Sequence, residues 1–214
     1  MKMVTMICGV LGMSIVAILA DALADPRSAK GLDQAANTAS PTRTTSAQTS
    51  DDAIAAFATV QIVLQHPRCQ NCHSPGDAPL QFDAGIAHTQ GIARGVDGKG
   101  AAGLPCATCH GAANPPASYG LHTPSGAPNW HLPPPEHKMV FIGLPAAELC
   151  ANLRDPKKNG GKDMTALIKH VDQDGLVLWG WNPGGDRAPV PITHADFVAQ
   201  FTTWAKAGGP CPPA

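Results

Sequence analysis

The chain has 214 residues, and its 22 Gly and 21 Pro occupy one position in five, against about 12% in average usage. That is below the roughly 25–30% of a disordered low-complexity chain, yet four Trp, one Tyr and five Phe are few rings for an ordinary dense core. Fifteen Lys and Arg balance sixteen Asp and Glu for a net charge of −1, and no basic stripe points to nucleic acid.

Residues 1–24 read as an export signal. Lys2 is the positive start, 3–20 is apolar apart from Thr5 and Ser14, and Ala22-Leu23-Ala24 is a small-x-small cleavage pattern. Cleavage would leave Asp25 as the first residue, in the periplasm. The alternative is an uncleaved membrane anchor, since the apolar run of 18 residues sits at the short edge of a spanning helix. Residues 25–50 are rich in Ala, Thr and Ser with Leu32 as the one large apolar side chain. Such a segment buries too little surface to offset its ordering entropy and reads as a flexible linker.

A domain is expected over 51–214. Its first helix is expected at 51–65, capped by Ser50 or Asp51 and stopped by Pro67. Ile54, Phe57, Ala58 and Gln61 lie on one side, and Val60, Ile62, Val63 and Leu64 widen the apolar face. Residues 66–144 carry Gly and Pro at short intervals and read as irregular. A loop of that length is abnormal unless it wraps a large internal ligand. Pro145 opens a helix that ends at Asp155-Pro156. Asp163 caps another, with Met164, Leu167, Ile168 and Val171 at helical spacing. Thr193 and Asp196 resemble a capping box before Phe197, Phe201 and Trp204, and Gly208-Gly209-Pro210 ends that helix.

The repeated motif carries the chemistry. Cys69-Gln70-Asn71-Cys72-His73 and Cys106-Ala107-Thr108-Cys109-His110 are both C-x-x-C-H, the attachment pattern of c-type haem. Two thiols three positions apart reach two vinyl groups on one porphyrin edge, and the next residue supplies the proximal nitrogen to iron. Cys69, Cys72, Cys106 and Cys109 would therefore bind two haems c, with His73 and His110 on the irons. Three other readings compete. A thioredoxin-like redox pair expects a βαβ context and no following His. A zinc ribbon expects a gap of about 15–20 residues between pairs, where this chain has 33. Two small disulfide loops would not explain the histidines. The expected fold is mainly α with long irregular loops, its cytochrome c-like helices wrapped around the two haems.

Cys150 and Cys211 remain once Cys8 leaves with the signal. In an oxidising compartment they pair most simply with each other, and two free buried thiols are the alternative. The distal ligands stay open among His88, Met139, His131 and His170. His88 lies in a Gly-flanked stretch, His131 and Met139 lie on a proline-stiffened run, and His170 sits beside a helix stripe. His66 is too close to Cys69 to reach the far haem face, His194 belongs to a helix start, and Met164 suits the core. Arg68, Arg94, Arg154 and Arg187 are candidates for haem propionates. Residues 179–185, Trp-Gly-Trp-Asn-Pro-Gly-Gly, fold over a porphyrin edge or form a packed turn.

The runs His66-Pro67-Arg68-Cys69-x-x-Cys72-His73, Ala127-Pro128-Asn129-Trp130-His131-Leu132-Pro133-Pro134, Leu149-Cys150, Asp155-Pro156 with Asn159-Gly160-Gly161, and Trp179-Gly180-Trp181 span much of the chain. Over residues 60–213 they resemble a bacterial family of exported dihaem proteins labelled "isoquinoline 1-oxidoreductase subunit". The resemblance implies an electron-accepting cytochrome partner of a molybdenum hydroxylase. The chain has no molybdopterin or [2Fe–2S] pattern of its own, so oxidation of a substrate would fall to the partner. The expected function is non-enzymatic electron transfer, from a periplasmic dehydrogenase or hydroxylase to a respiratory acceptor. A dihaem peroxidase-like enzyme and a haem-based ligand sensor are the alternatives.

Overall fold

The computed structural model describes residues 42–214. The expected export signal and residues 25–41 of the expected linker lie outside them. The described chain is mainly α: α1 (Thr42–Leu64), α2 (Pro67–Gln70), α3 (Ala146–Arg154), α4 (Met164–Gln173), α5 (Gly175–Leu178) and α6 (His194–Lys206). No described helix is long and apolar enough to cross a membrane.

Helix α1 begins at Thr42, not at residue 51, and takes in residues assigned above to the linker. From residue 42 to His66 the sequence holds neither Gly nor Pro. Ser and Thr cost a helix only a few tenths of a kcal/mol each relative to the best formers. Gln48 donates to Asp52 one turn on, at 3.2 Å. The buried stripe is Ala53, Ala56, Phe57, Val60, Val63 and Leu64, so the inward face is rotated from the expected one, and Ala58 points to solvent.

Helix α6 packs along α1, and α4 packs on α6. Phe57 and Trp204 meet at 5.1 Å between ring centres, and Phe201 and Trp204 at 5.3 Å. Leu149 and Leu153 of α3 and Leu167 and Val171 of α4 close the same core. The caps lie close to expectation. Asp163 accepts from Ala166 N–H at 2.7 Å, and Thr193 accepts from Asp196 N–H at 3.1 Å. Pro145 stands one place earlier than expected, at the cap. Cys150 and Cys211 form a disulfide that ties α3 to the C-terminal tail.

The stretch between α2 and α3 is irregular apart from short 3₁₀ turns and two tiny hairpins. Strands β1 (Leu80–Gln81) and β2 (Ile86–Ala87) pair, as do β3 (Gly100–Ala101) and β4 (Leu104–Pro105). Gly98 shows why glycine recurs here. Its φ is +80°, and a Cβ would lie 1.9 Å from Leu132 O. Leu132 N–H donates to Gly98 O at 2.8 Å, holding the proline run 133–135 against this loop.

Candidate functional site

Each C-x-x-C-H motif folds as one helical turn. His66 caps the first: its Nδ1 accepts from Arg68 N–H at 3.3 Å, and Pro67 occupies the first helical position. His73 N–H donates to Cys69 O at 3.3 Å, and His110 N–H donates to Cys106 O at 3.0 Å. Residues i and i+4 thus stack, which sets the histidine one turn beyond its first cysteine. All four motif cysteines are free of disulfides. Burial pushes the Cys69 thiol up to about 12 and the Cys72 thiol up to about 11, and it raises Cys106 as well. Thiols so raised stay protonated at neutral pH, unlike the thiolate of a redox-active pair. Among the described residues no group of three or more His, Cys, Asp or Glu is gathered to hold a metal ion, as a zinc reading would need.

The two histidines are mounted alike. His73 bonds through Nδ1 to Met139 O at 2.9 Å, with Lys138 O at 3.3 Å, and its ring stacks on Phe141 at 4.0 Å. His110 bonds through Nδ1 to Ser125 O at 2.7 Å, and its ring stacks on Trp130 at 4.3 Å with planes 2° apart. Each bond engages Nδ1 and leaves Nε2 for a ligand, and such outer contacts orient metal-bound imidazoles. Burial drives the His73 pKa down to about 4, partly relieved by its bond to Met139, and neighbouring His170 lowers it further.

A cavity of about 370 Å³ opens beside Cys69, Cys72 and His73. Leu64, Leu167, Val171 and Phe201 form apolar wall, and Trp179 lines it too. Two buried guanidiniums stand nearby. Arg68 pairs with Asp83 and lies over the Trp179 ring at 5.7 Å. Arg94 is 1% exposed and donates to the carbonyls of Pro133, Ser74 and Gly76, with no carboxylate partner among the described residues. Both Nε atoms are buried without a partner. Arg94 is thus a buried cation without a carboxylate, a costly state, and Arg68 keeps an unsatisfied Nε donor beside its ion pair, so this set suits an apolar ring that bears carboxylates. Haem fits the residues present.

The second site is more open, with Cys109 exposed. Arg187 donates to Thr123 O at 2.6 Å and Gly184 O at 3.2 Å. It stands close enough to His110 to depress that pKa, behind burial and His88 as causes. The two sites are linked by rings. Trp130, stacked on His110, meets Trp179 edge-on at 5.0 Å, and Trp179 lines the first cavity. Asn114 accepts from Trp179 Nε1–H at 3.1 Å and from Gly126 N–H at 3.0 Å, which locks this bridge.

The remaining candidates fall as follows. His170, His131 and Met139 line the first cavity, and His88 faces His110 across 6.4 Å at the second site. His194 Nε2 bonds Val171 O at 2.9 Å, and His122 pairs with Asp186 on the surface at 3.2 Å. Arg154 lies against the disulfide, 3.9 Å from Cys211 Sγ, and does not line the first cavity. Phe141, Ser125 and Asn114 escaped the sequence reading. Trp130 neighbours His131 in the sequence, and no local signal marks it as the ring that stacks on His110. Compared with protein-family models, curated proteins and solved structures, the chain matches none.

Proposed function

We propose that this chain is an exported dihaem c-type cytochrome that relays electrons between partner proteins. The donor would be a periplasmic dehydrogenase or molybdenum hydroxylase, and the acceptor a respiratory protein. One observation carries the reading. Both C-x-x-C-H histidines have Nδ1 fixed by a backbone carbonyl and an aromatic ring stacked behind them, while the thiols beside them are free.

Bound haem c supplies a one-electron iron couple whose potential follows axial ligation, hydrogen bonding and burial. Cys69 with Cys72, and Cys106 with Cys109, would hold the two haems. His73 and His110 would bind the irons through Nε2, the nitrogen that their carbonyl bonds leave free. Arg68 and Arg94 would hold carboxylates at the first site, and the Leu64, Leu167 and Phe201 wall would exclude water there. Trp130 and Trp179 fill the space between the sites with contiguous rings, which suits internal transfer.

Co-expression with haem-attachment machinery, followed by a pyridine haemochrome assay, tests this. Two haems per chain, retained on denaturing gels, and two reversible one-electron steps are expected. A colourless chain with four reactive thiols would refute it.

A further inference from the structure

We propose that His88 and His170 supply the sixth ligands, so that both irons are bis-histidine and neither offers an open position. The proposal rests on the dihaem reading above and deepens it.

The second site carries it furthest. The His88 and His110 rings stand 6.4 Å apart, centre to centre, with planes at 75°. Two imidazoles that each bind one shared metal at about 2 Å bring their ring centres to roughly 6 Å. Nδ1 of His88 bonds Thr89 O at 3.0 Å, as Nδ1 of His110 bonds Ser125 O. The nitrogen left on each ring is therefore Nε2. His88 is held from behind by the β1–β2 hairpin: its N–H donates to Pro79 O at 2.9 Å, and Leu80 N–H donates to Asn71 O at 2.8 Å. Asn71 sits between Cys69 and Cys72. The hairpin thus starts on the first motif and delivers His88 to the second.

At the first site the ligand comes from α4. His170 lines the cavity that holds His73, and its Nδ1 lies 3.3 Å from Asp174 Oδ2, one turn on. A carboxylate on the far nitrogen is the usual means of orienting a metal-bound imidazole. Its neighbours Leu167 and Val171 are buried in the core, so the ring rides on a packed helix. His131 and His137 reach the same cavity from irregular chain or a 3₁₀ turn. Met139 is disfavoured by direction. Its carbonyl receives the Nδ1 bond of His73, which sets its backbone behind that ring, away from Nε2.

The test uses the holoprotein, with two haems per chain first confirmed. Near-infrared magnetic circular dichroism of the oxidised wild type is expected to show bis-histidine bands only, and the ferrous protein is expected to bind no carbon monoxide. His88→Ala and His170→Ala are each expected to raise bound carbon monoxide from zero to one per chain, and added imidazole should return each ferric variant to low spin. A histidine–methionine band or carbon monoxide binding by the wild type overturns the proposal. So does a folded variant whose irons both stay closed to carbon monoxide. If a variant does not fold, the wild-type spectra decide alone. A chain with no haem overturns the dihaem reading instead, which the initial haem count distinguishes.

Discussion

Replacing both Cys150 and Cys211 by alanine opens a ring of 61 residues that holds α4, α5, α6 and the end of α3. On the chain-entropy account a ring of this size stabilises the fold by about 4 kcal/mol at 25 °C. Cys150 is fully buried, so its lost sulfur adds on the order of 1 kcal/mol of packing. For a chain of this length that lowers the melting temperature by roughly 10–15 °C. The ring contains His170 but not His73, His88 or His110, so of the four proposed iron ligands only His170 is loosened directly. In urea below the unfolding midpoint, the double variant is expected to bind one carbon monoxide per chain, and the wild type none. Far-UV circular dichroism gives the stability, and the ferrous carbonyl difference spectrum gives the stoichiometry. A loss below about 1 kcal/mol would refute the entropic reasoning, and simultaneous opening of both haems would refute the separation of the sites.

Three further outcomes are expected. Trp130→Leu removes the His110 stack and the Trp179 edge contact, worth about 1–3 kcal/mol together. Electron paramagnetic resonance should shift for the His110 iron alone, and an equal shift of both signals would contradict the assignment. Arg94→Met withdraws a buried cation near Cys72. It should lower one reduction potential by tens of millivolts, about 60 mV being worth about 1.4 kcal/mol for one electron; a rise in spectroelectrochemical titration would count against the guanidinium's role. Gly98→Ala forces a Cβ against Leu132 O at positive φ and should cost about 2 kcal/mol or more in thermal unfolding.

Much of the helical frame was legible in the sequence because its signals are local. Asp163 and Thr193 cap through bonds three residues long, and Leu167 with Val171 shows its burial by spacing alone. The start of α1 was not legible. Ser, Thr, Ala and Gln serve a linker and an exposed helix equally well, and the Gln48–Asp52 bond is the kind of weak local support composition does not reveal. At the site, the motif histidines announced themselves, whereas their partners did not. Phe141 lies 68 positions from His73, and the groups fixing both imidazoles are main-chain carbonyls, which carry no side-chain signature.

By itself the sequence determined the chemistry on offer: two C-x-x-C-H motifs, three further cysteines, and a glycine- and proline-rich middle poor in rings. Those are properties of neighbours along the chain, where spacing sets geometry. The tertiary structure alone decided that Met139 O lies on the Nδ1 edge of His73, that His88 faces His110, and that His170 shares the first cavity. Such pairings depend on how a hairpin and α4 dock against distant motifs. The burial and hydrogen bonds that fix that docking are made between segments far apart in the chain.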